Sequence, residues 1–275
     1  MSQTQGIILI LISAFLHSTW HFYLKNKVDS SFQLFLISFF STFISFIYLL
    51  QNDYLFNVKN LGFLIFLSVI FHNLYKYFLL NLYKTEKFSD SYLALKGVNF
   101  LLVIVLSFLF FKESISFLQI VCITLIYLGL LFLYESRKVF KIKSILAGTS
   151  MAAYTLLDVY VIRDSGDFFN MIFLLIFYDN LITIFYFIIF KKEYLIRLGL
   201  NFKFYLLFAP IFAISSFLIY MYVLASQTIV FTVILRETSI VFSICYGVIF
   251  MREKLNISKL IAFMLIISGI GINFL

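Results

Sequence analysis

RETSIVFSICYGVIFMREKL, residues 236 to 255, decides the fold, because the chain carries a diverged copy of it. Sliding the sequence by 140 residues lays it without a gap over KGVNFLLVIVLSFLFFKESI, residues 96 to 115. Arg236 falls on Lys96, Phe250 on Phe110, Arg252 on Lys112 and Glu253 on Glu113. Further on, Gly269 falls on Gly129, and a looser match shifted by 138 sets Ala152 on Ala14 and Arg163 on Lys25. Apolar residues coincide easily in a chain rich in Phe, Leu and Ile. Charges matched at a fixed offset mark an internal repeat.

Both copies lie in apolar surroundings. Of 275 residues, 63% are hydrophobic and only 12% charged, with a mean hydropathy of +1.04. Soluble chains carry about twice that charged fraction. Ten runs are near the length needed to cross the hydrocarbon core as helices: 5–24, 32–50, 60–83, 90–111, 116–134, 145–163, 168–190, 204–225, 229–250 and 257–275. In lipid every backbone polar group must be paired, so such runs are helices or strands of a closed barrel. Barrel strands alternate polar and apolar residues, and these runs do not. The expectation is an all-α polytopic membrane protein of ten transmembrane helices. Residues 1–134 form one five-helix repeat, 135–144 a basic connecting loop, and 145–275 the second repeat. Five is odd, so the second copy enters the membrane from the opposite side, the inverted-repeat architecture of many secondary transporters.

The N-terminus lacks the basic region and small-residue cleavage site of a signal peptide, so the first helix is expected to stay. Cys122 and Cys245 sit in mid-helix and read as small packing residues. Loop cations are unevenly shared. On the N-terminal side are Lys59, Lys112 and Arg163. The other side holds Lys25, Lys27, Lys84, Lys87, Arg137, Lys138, Lys141, Lys143, Lys191, Lys192, Arg197, Lys203, Arg252, Lys254 and Lys259. The positive-inside rule then places both termini outside an inner membrane, and the formal charge of +8 needs no nucleic acid partner.

The ninth run sets Thr232, Arg236, Ser239, Ser243 and Gly247 on one helical stripe, with Ile, Val, Leu and Phe on its other faces. Its counterpart in the fourth run is Tyr92, Lys96, Asn99, Val103 and Ser107. A charge at bilayer depth must face protein or water and usually marks a pathway or a pair. Lys76, Lys96 and Arg236 lie within runs, matched in number by Asp158, Asp179 and Glu237. They make either a cavity that holds an anionic group or three buried ion pairs that fix helix register. Lys76, close to the end of its run where it could snorkel, reads as structural rather than functional.

His17 and His21 are four apart in HSTWH, a metal-ligand spacing, but the glutamate of a zincin motif is absent and His72 is the only other histidine. No metal or other cofactor is expected. Hydrogen bonding or cation–π contact beside Trp20 is the better use. Tyr154 and Asp158 share a face and suit a polar ligand or helix packing alike. Glu113 and Glu253 read as helix-end ion pairs with the cations beside them. The sequence has no Gly-x-Ser-x-Gly elbow and no phosphate-binding loop, so no enzyme and no built-in nucleotide engine is expected.

With five-helix repeats, Lys112-Glu113 and Arg252-Glu253 followed by Gly129 and Gly269, the chain resembles the EamA-like branch of the drug/metabolite transporter superfamily. AFLHSTWHFYLK (14–25), KFSDSYLALKG (87–97), AAYTLLD (152–158) and ILRETSIVFS (234–243) resemble a sub-branch described as phosphonate-utilisation-associated membrane proteins. Two positions depart from that pattern: Leu93 stands where the sub-branch usually has proline, and His21 where it has asparagine. Relatives are often drawn with cytoplasmic termini, against the charge count. The resemblance implies gradient-driven transport of a small polar metabolite, anionic or zwitterionic, by alternating access. The substrate-binding set is expected to be Arg236, Lys96, Glu237, His17, Trp20, His21, Tyr92, Tyr154, Asp158 and Ser239, with Asp158, Asp179 and Glu237 as candidate proton carriers. The rivals are a carrier of a lipid-linked head group, served by Tyr92, Lys96, Lys84 and Lys87, and a non-transporting membrane subunit. The expected partners are the small-molecule substrate and the bilayer.

Overall fold

The computed structural model describes residues 1–26, 29–55, 58, 61–85, 88–132, 142–200 and 204–273. Lys27, Lys59, Lys87, Arg137, Lys138, Lys141 and Lys203, with most of the expected connecting loop at 135–144, lie outside the described residues. The described secondary structure is all helical: α1 Gln3–Asn26, α2 Ser30–Gln51, α3 Gly62–Thr85, α4 Phe88–Phe111, α5 Phe117–Phe132, α6 Ile142–Ser165, α7 Phe168–Phe190, the short α8 Glu193–Leu200, a 3₁₀ turn Phe204–Leu207, α9 Phe208–Ser226, α10 Ile229–Arg236, α11 Thr238–Ile249 and α12 Ile257–Ile272.

Local chemistry sets the helix starts. Ser2 with Gln5, and Ser116 with Gln119, form reciprocal capping boxes at α1 and α5, side chain to backbone at 2.9–3.2 Å. Asp29, Asp167 and Asn256 cap α2, α7 and α12 with side-chain oxygens. The single proline, Pro210, sits in the first turn of α9, where its missing N–H has no intrahelical partner to lose. Leu93 leaves α4 unbroken.

Among the described residues, eight spans are long and apolar enough to cross a membrane: α1, α2, α3, α4, α6, α7, α9, and α10 with α11 taken together over Ile229–Ile249. The helices α5 and α12, of 16 residues each, are shorter. At 1.5 Å per residue they reach about 24 Å, short of a hydrocarbon core of about 30 Å.

The main packing partners are α1 with α9, α3 with α6, α5 with α12, α2 with α7 and α4 with α6, while α1 also lies along α10 and α11. The crossing of α5 and α12 is reciprocal. A Cβ on Gly129 would meet Ile266 Cγ1 at 2.8 Å and the Ala262 carbonyl at 2.9 Å. One on Gly269 would meet Ile126 Cγ1 and the Cys122 carbonyl, both at 2.9 Å. Only hydrogen side chains allow these backbones so close. Lys112 and Arg252, again 140 residues apart, both adopt the left-handed conformation, with φ of 54° and 53°.

The ninth apolar run is not one continuous helix. It is divided at Glu237, where Glu237 N–H bonds the carbonyl of Ile234 at 3.2 Å and Ile240 N–H that of Glu237 at 2.9 Å. These are three-residue, 3₁₀-type steps, a local tightening of the helix. The polar residues of the stripe, Thr232, Arg236, Ser239 and Ser243, are all buried, so the division leaves them on the inner side.

Candidate polar cavity within the bundle

A cavity of about 100 Å³ lies among α1, α2, α3, α6, α7, α9 and α10. Two polar walls face each other across aromatic residues. The first wall is Arg236, 3% exposed, brought in by the last turn of α10. Its Nη1 donates to Ser13 Oγ and its Nη2 to Ser216 Oγ at 2.9 Å, while Nε has no partner. The guanidinium also lies 4.4 Å from the ring centre of Tyr220, a cation–π contact. Ser13 and Ser216 are fixed in turn: each hydroxyl donates to the other residue's carbonyl, at 2.6 and 3.0 Å, locking α1 to α9. Among the described residues, no carboxylate comes within ion-pair distance of Arg236.

The second wall comes from α3, α6 and α7. Lys76 Nζ donates to Asp179 at 2.8 Å and to Asn180 and Thr183 at 3.0 Å. Lys76 sits nine residues before the end of α3, its side chain only 12% exposed, in a closed polar network: a buried ion pair rather than a lysine reaching the interface. His72 stacks on Tyr154, ring centres 3.7 Å apart, with Nε2 2.8 Å from Asp158 and Nδ1 3.7 Å from Asp179. Ser68 donates to the other oxygen of Asp158.

Of the expected substrate-binding residues, Arg236, His17, Trp20 and Tyr154 line this cavity. Asp158 stands one hydrogen bond behind it, through His72. Lys96 and Glu237 lie outside the lining and face one another, Nζ to Oε1 2.8 Å at 1% and 0% exposure, close in distance but off the angle of a hydrogen bond. His21 bonds Tyr83 at 2.6 Å and Tyr75 at 3.2 Å, and Tyr92 packs edge-on against it. Ser239 is buried. Trp20 Nε1 donates to His17 Nδ1 at 3.2 Å, leaving the buried Nε2 of His17 without a partner. Among the described residues no group of three or more His, Cys, Asp or Glu side chains could hold a metal ion. The sequence reading missed His72, Tyr75, Ser216 and Tyr220. His72 had a signal, since Ser68, His72 and Lys76 recur at four-residue steps in an otherwise apolar run.

At the helix ends both glutamates are in ion pairs, Glu113 with a residue distant in the chain. Glu113 accepts from the backbone N–H of Ile229 at 2.9 Å and of Val230 at 3.1 Å, capping α10. Arg163, from α6, lies 3.6 Å from Glu113 and donates to the carbonyls of Leu224 and Gln227 at 2.7 and 2.6 Å. On the opposite face, Lys25 donates to the carbonyl of Tyr83, and Lys259 to Glu253 at 3.0 Å.

A helical bundle with this many apolar spans around buried, networked charges is that of a multi-pass membrane protein. More narrowly, residues 4–135 match the EamA-like transporter family, which makes this stretch, just under half of the chain, similar to drug/metabolite-type transporters. A solved structure described only as "Crystal structure of protein" is 14% identical, covers 98% of this chain and 96% of its own, and superposes with a TM-score of 0.66, a likeness of fold. No curated protein matches the chain.

Proposed function

We propose that the chain is a secondary transporter moving a small anionic or zwitterionic metabolite across an inner membrane by alternating access, and that its ten spans form two inverted repeats, 1–134 and 145–275. One observation carries the substrate reading: Arg236 is buried at a cavity and has no carboxylate partner among the described residues. A guanidinium does not lose its proton in a protein, so its buried charge calls for an anion. Two hydroxyls and one ring solvate it in part. The unpartnered Nε and the remaining Nη protons leave an edge able to take a planar or tetrahedral anionic group from two sides. Support for the repeat comes from the reciprocal Gly129 and Gly269 crossing and from the paired left-handed residues at 112 and 252. In this reading Asp158, Asp179 and Glu237 are the carboxylates available for coupling, and the basic loops face the cytoplasm with both termini outside.

The test is a thermal-shift panel on the purified protein, with benzenesulfonate, benzoate, methylphosphonate, glutamate and putrescine. Methylphosphonate probes the phosphonate-associated resemblance, and putrescine is a cationic control. A ligand at about 100 times its Kd stabilises by roughly 2.7 kcal/mol. Anions should stabilise the wild type and fail to stabilise Arg236→Gln. Stabilisation by putrescine alone, or anion shifts that survive the substitution, would sink this reading.

A groove of about 370 Å³ on the outer side of α3 and α7, lined by Ile65, Phe66, Val69, Tyr178, Ile182 and Phe185, favours a second reading, a lipid-linked head group whose acyl chain lies there. Stabilisation by anionic phospholipid but by none of the soluble anions would select it.

A further inference from the structure

The wall opposite Arg236 carries an arrangement that the substrate reading does not use. His72 turns both ring nitrogens toward carboxylates, Nε2 to Asp158 at 2.8 Å and Nδ1 to Asp179 at 3.7 Å. A neutral imidazole owns one N–H, so one of its nitrogens must present a lone pair to a negative oxygen. Only the imidazolium offers a proton to both. The two acids are held from behind: Ser68 donates to Asp158, while Lys76 and Asn73 donate to Asp179. The ring itself is clamped flat on Tyr154. Every group here has a fixed place, and the geometry leaves a site for a second proton on His72.

That proton changes the charge of the cavity. Asp158 and Asp179 against Lys76 leave one negative charge in excess while His72 is neutral, and none once it is protonated. Lys96 is taken by Glu237. Arg236 faces the acidic cluster from the other side of the cavity. With His72 neutral the whole set is balanced, and an anion entering alone would leave a net negative charge in a low-dielectric interior. With His72 protonated, the entering anion restores balance.

We infer that His72 is the proton-binding site of the transport cycle, and that its proton and the substrate anion at Arg236 bind together. The step is an association without covalent change: one proton from the medium goes to the free ring nitrogen, and one anion goes to the guanidinium. Facing His72 are Tyr154 and Asp158 from α6, Asp179 from α7 and Phe217 from α9, with Tyr75 and Lys76 on its own helix. From α1 and α10, His17 and Arg236 share the cavity, and α2 contributes Ser41. The inference rests on the anionic-substrate reading above and adds the coupling ion to it.

The experiment uses full-length protein in nanodiscs and benzenesulfonate, whose charge is constant across the working pH range, so that any pH dependence belongs to the protein. Histidine NMR, with His72 identified by His72→Gln, follows the charge of its ring across the working pH range, with and without the probe. The expected results are a ring that takes up a proton and an affinity for benzenesulfonate that rises toward acid, by at most about tenfold per pH unit, the limit of one proton per anion. His72→Gln should bind the probe with a flat pH profile. A ring that keeps one charge state throughout overturns the proposal, and needs no ligand to do so. Bound probe with an unchanged pH slope in His72→Gln overturns the coupling alone. A ring that switches while no sulfonate binds at any pH overturns the anionic-substrate reading and the coupling with it.

Discussion

Lys96 and Arg236 are matched by the sequence offset of 140 residues, yet their surroundings differ. Lys96 meets Glu237 at 2.8 Å and is closed off. Arg236 meets two serine hydroxyls and a tyrosine ring and borders a cavity. The cause is one residue. Glu237 follows Arg236 in the chain but serves Lys96 across the bundle, and the position that would return the favour, 97, is glycine. One half lends its acid and receives none. Two positions matched by the offset thus hold a plugged cation and an open one, the asymmetry that the proposed anion site uses.

The comparison can be broken at several points. The largest effect is expected at the plugged pair. Glu237→Leu leaves Lys96 buried without a counter-charge and should cost about 3–5 kcal/mol of stability, whereas Lys96→Met with Glu237→Leu should fall near the wild type. Reversible unfolding in mixed micelles measures both, and equal losses in the single and double variants would refute the pairing. Next comes Arg236→Gln. Truncating one partner of a desolvated charge pair costs about 2–5 kcal/mol of binding, read as the loss of benzenesulfonate affinity by calorimetry. Gly97→Glu should install the missing acid. A Cβ there meets only Leu130, at an ordinary 3.5 Å, so the fold has room for the first atom. Anion affinity should fall by an order of about ten or more while the melting temperature holds, and unchanged affinity would show that the halves are not equivalent there. The smallest effect is at the serines. Ser13→Ala and Ser216→Ala each remove a hydrogen bond to a charged group, about 1.5–3 kcal/mol shared between stability and anion affinity.

The sequence carries the helical membrane character and the offset of 140 in plain view, because hydropathy and matched charges survive divergence. Arg236 also stands out, since an arginine in a run of Ile, Val and Leu has no cheap alternative explanation. Its partners do not stand out. Ser13, Ser216 and Tyr220 are ordinary residues of ordinary helices, and only the crossing of α1, α9 and α10 gathers them. Lys76 read as structural, but its place along one helix could not show that Asp179, Asn180 and Thr183 wait on another. Glu113 was credited with the cation next to it in the chain. The left-handed turn at Lys112 instead sends it to the start of α10 and to Arg163.

That last contact has a mechanical consequence. Glu113 and Arg163 tie four chain segments together at the N-terminal face: the link after α4, the end of α6, the end of α9 and the start of α10. Two of these ties are to backbone amides that lie seven and six residues before Arg236. The clasp and the arginine therefore sit on one rigid rod, two turns apart. A displacement at the clasp is therefore carried along α10 to the arginine, and one at the arginine back to the clasp, over two helical turns.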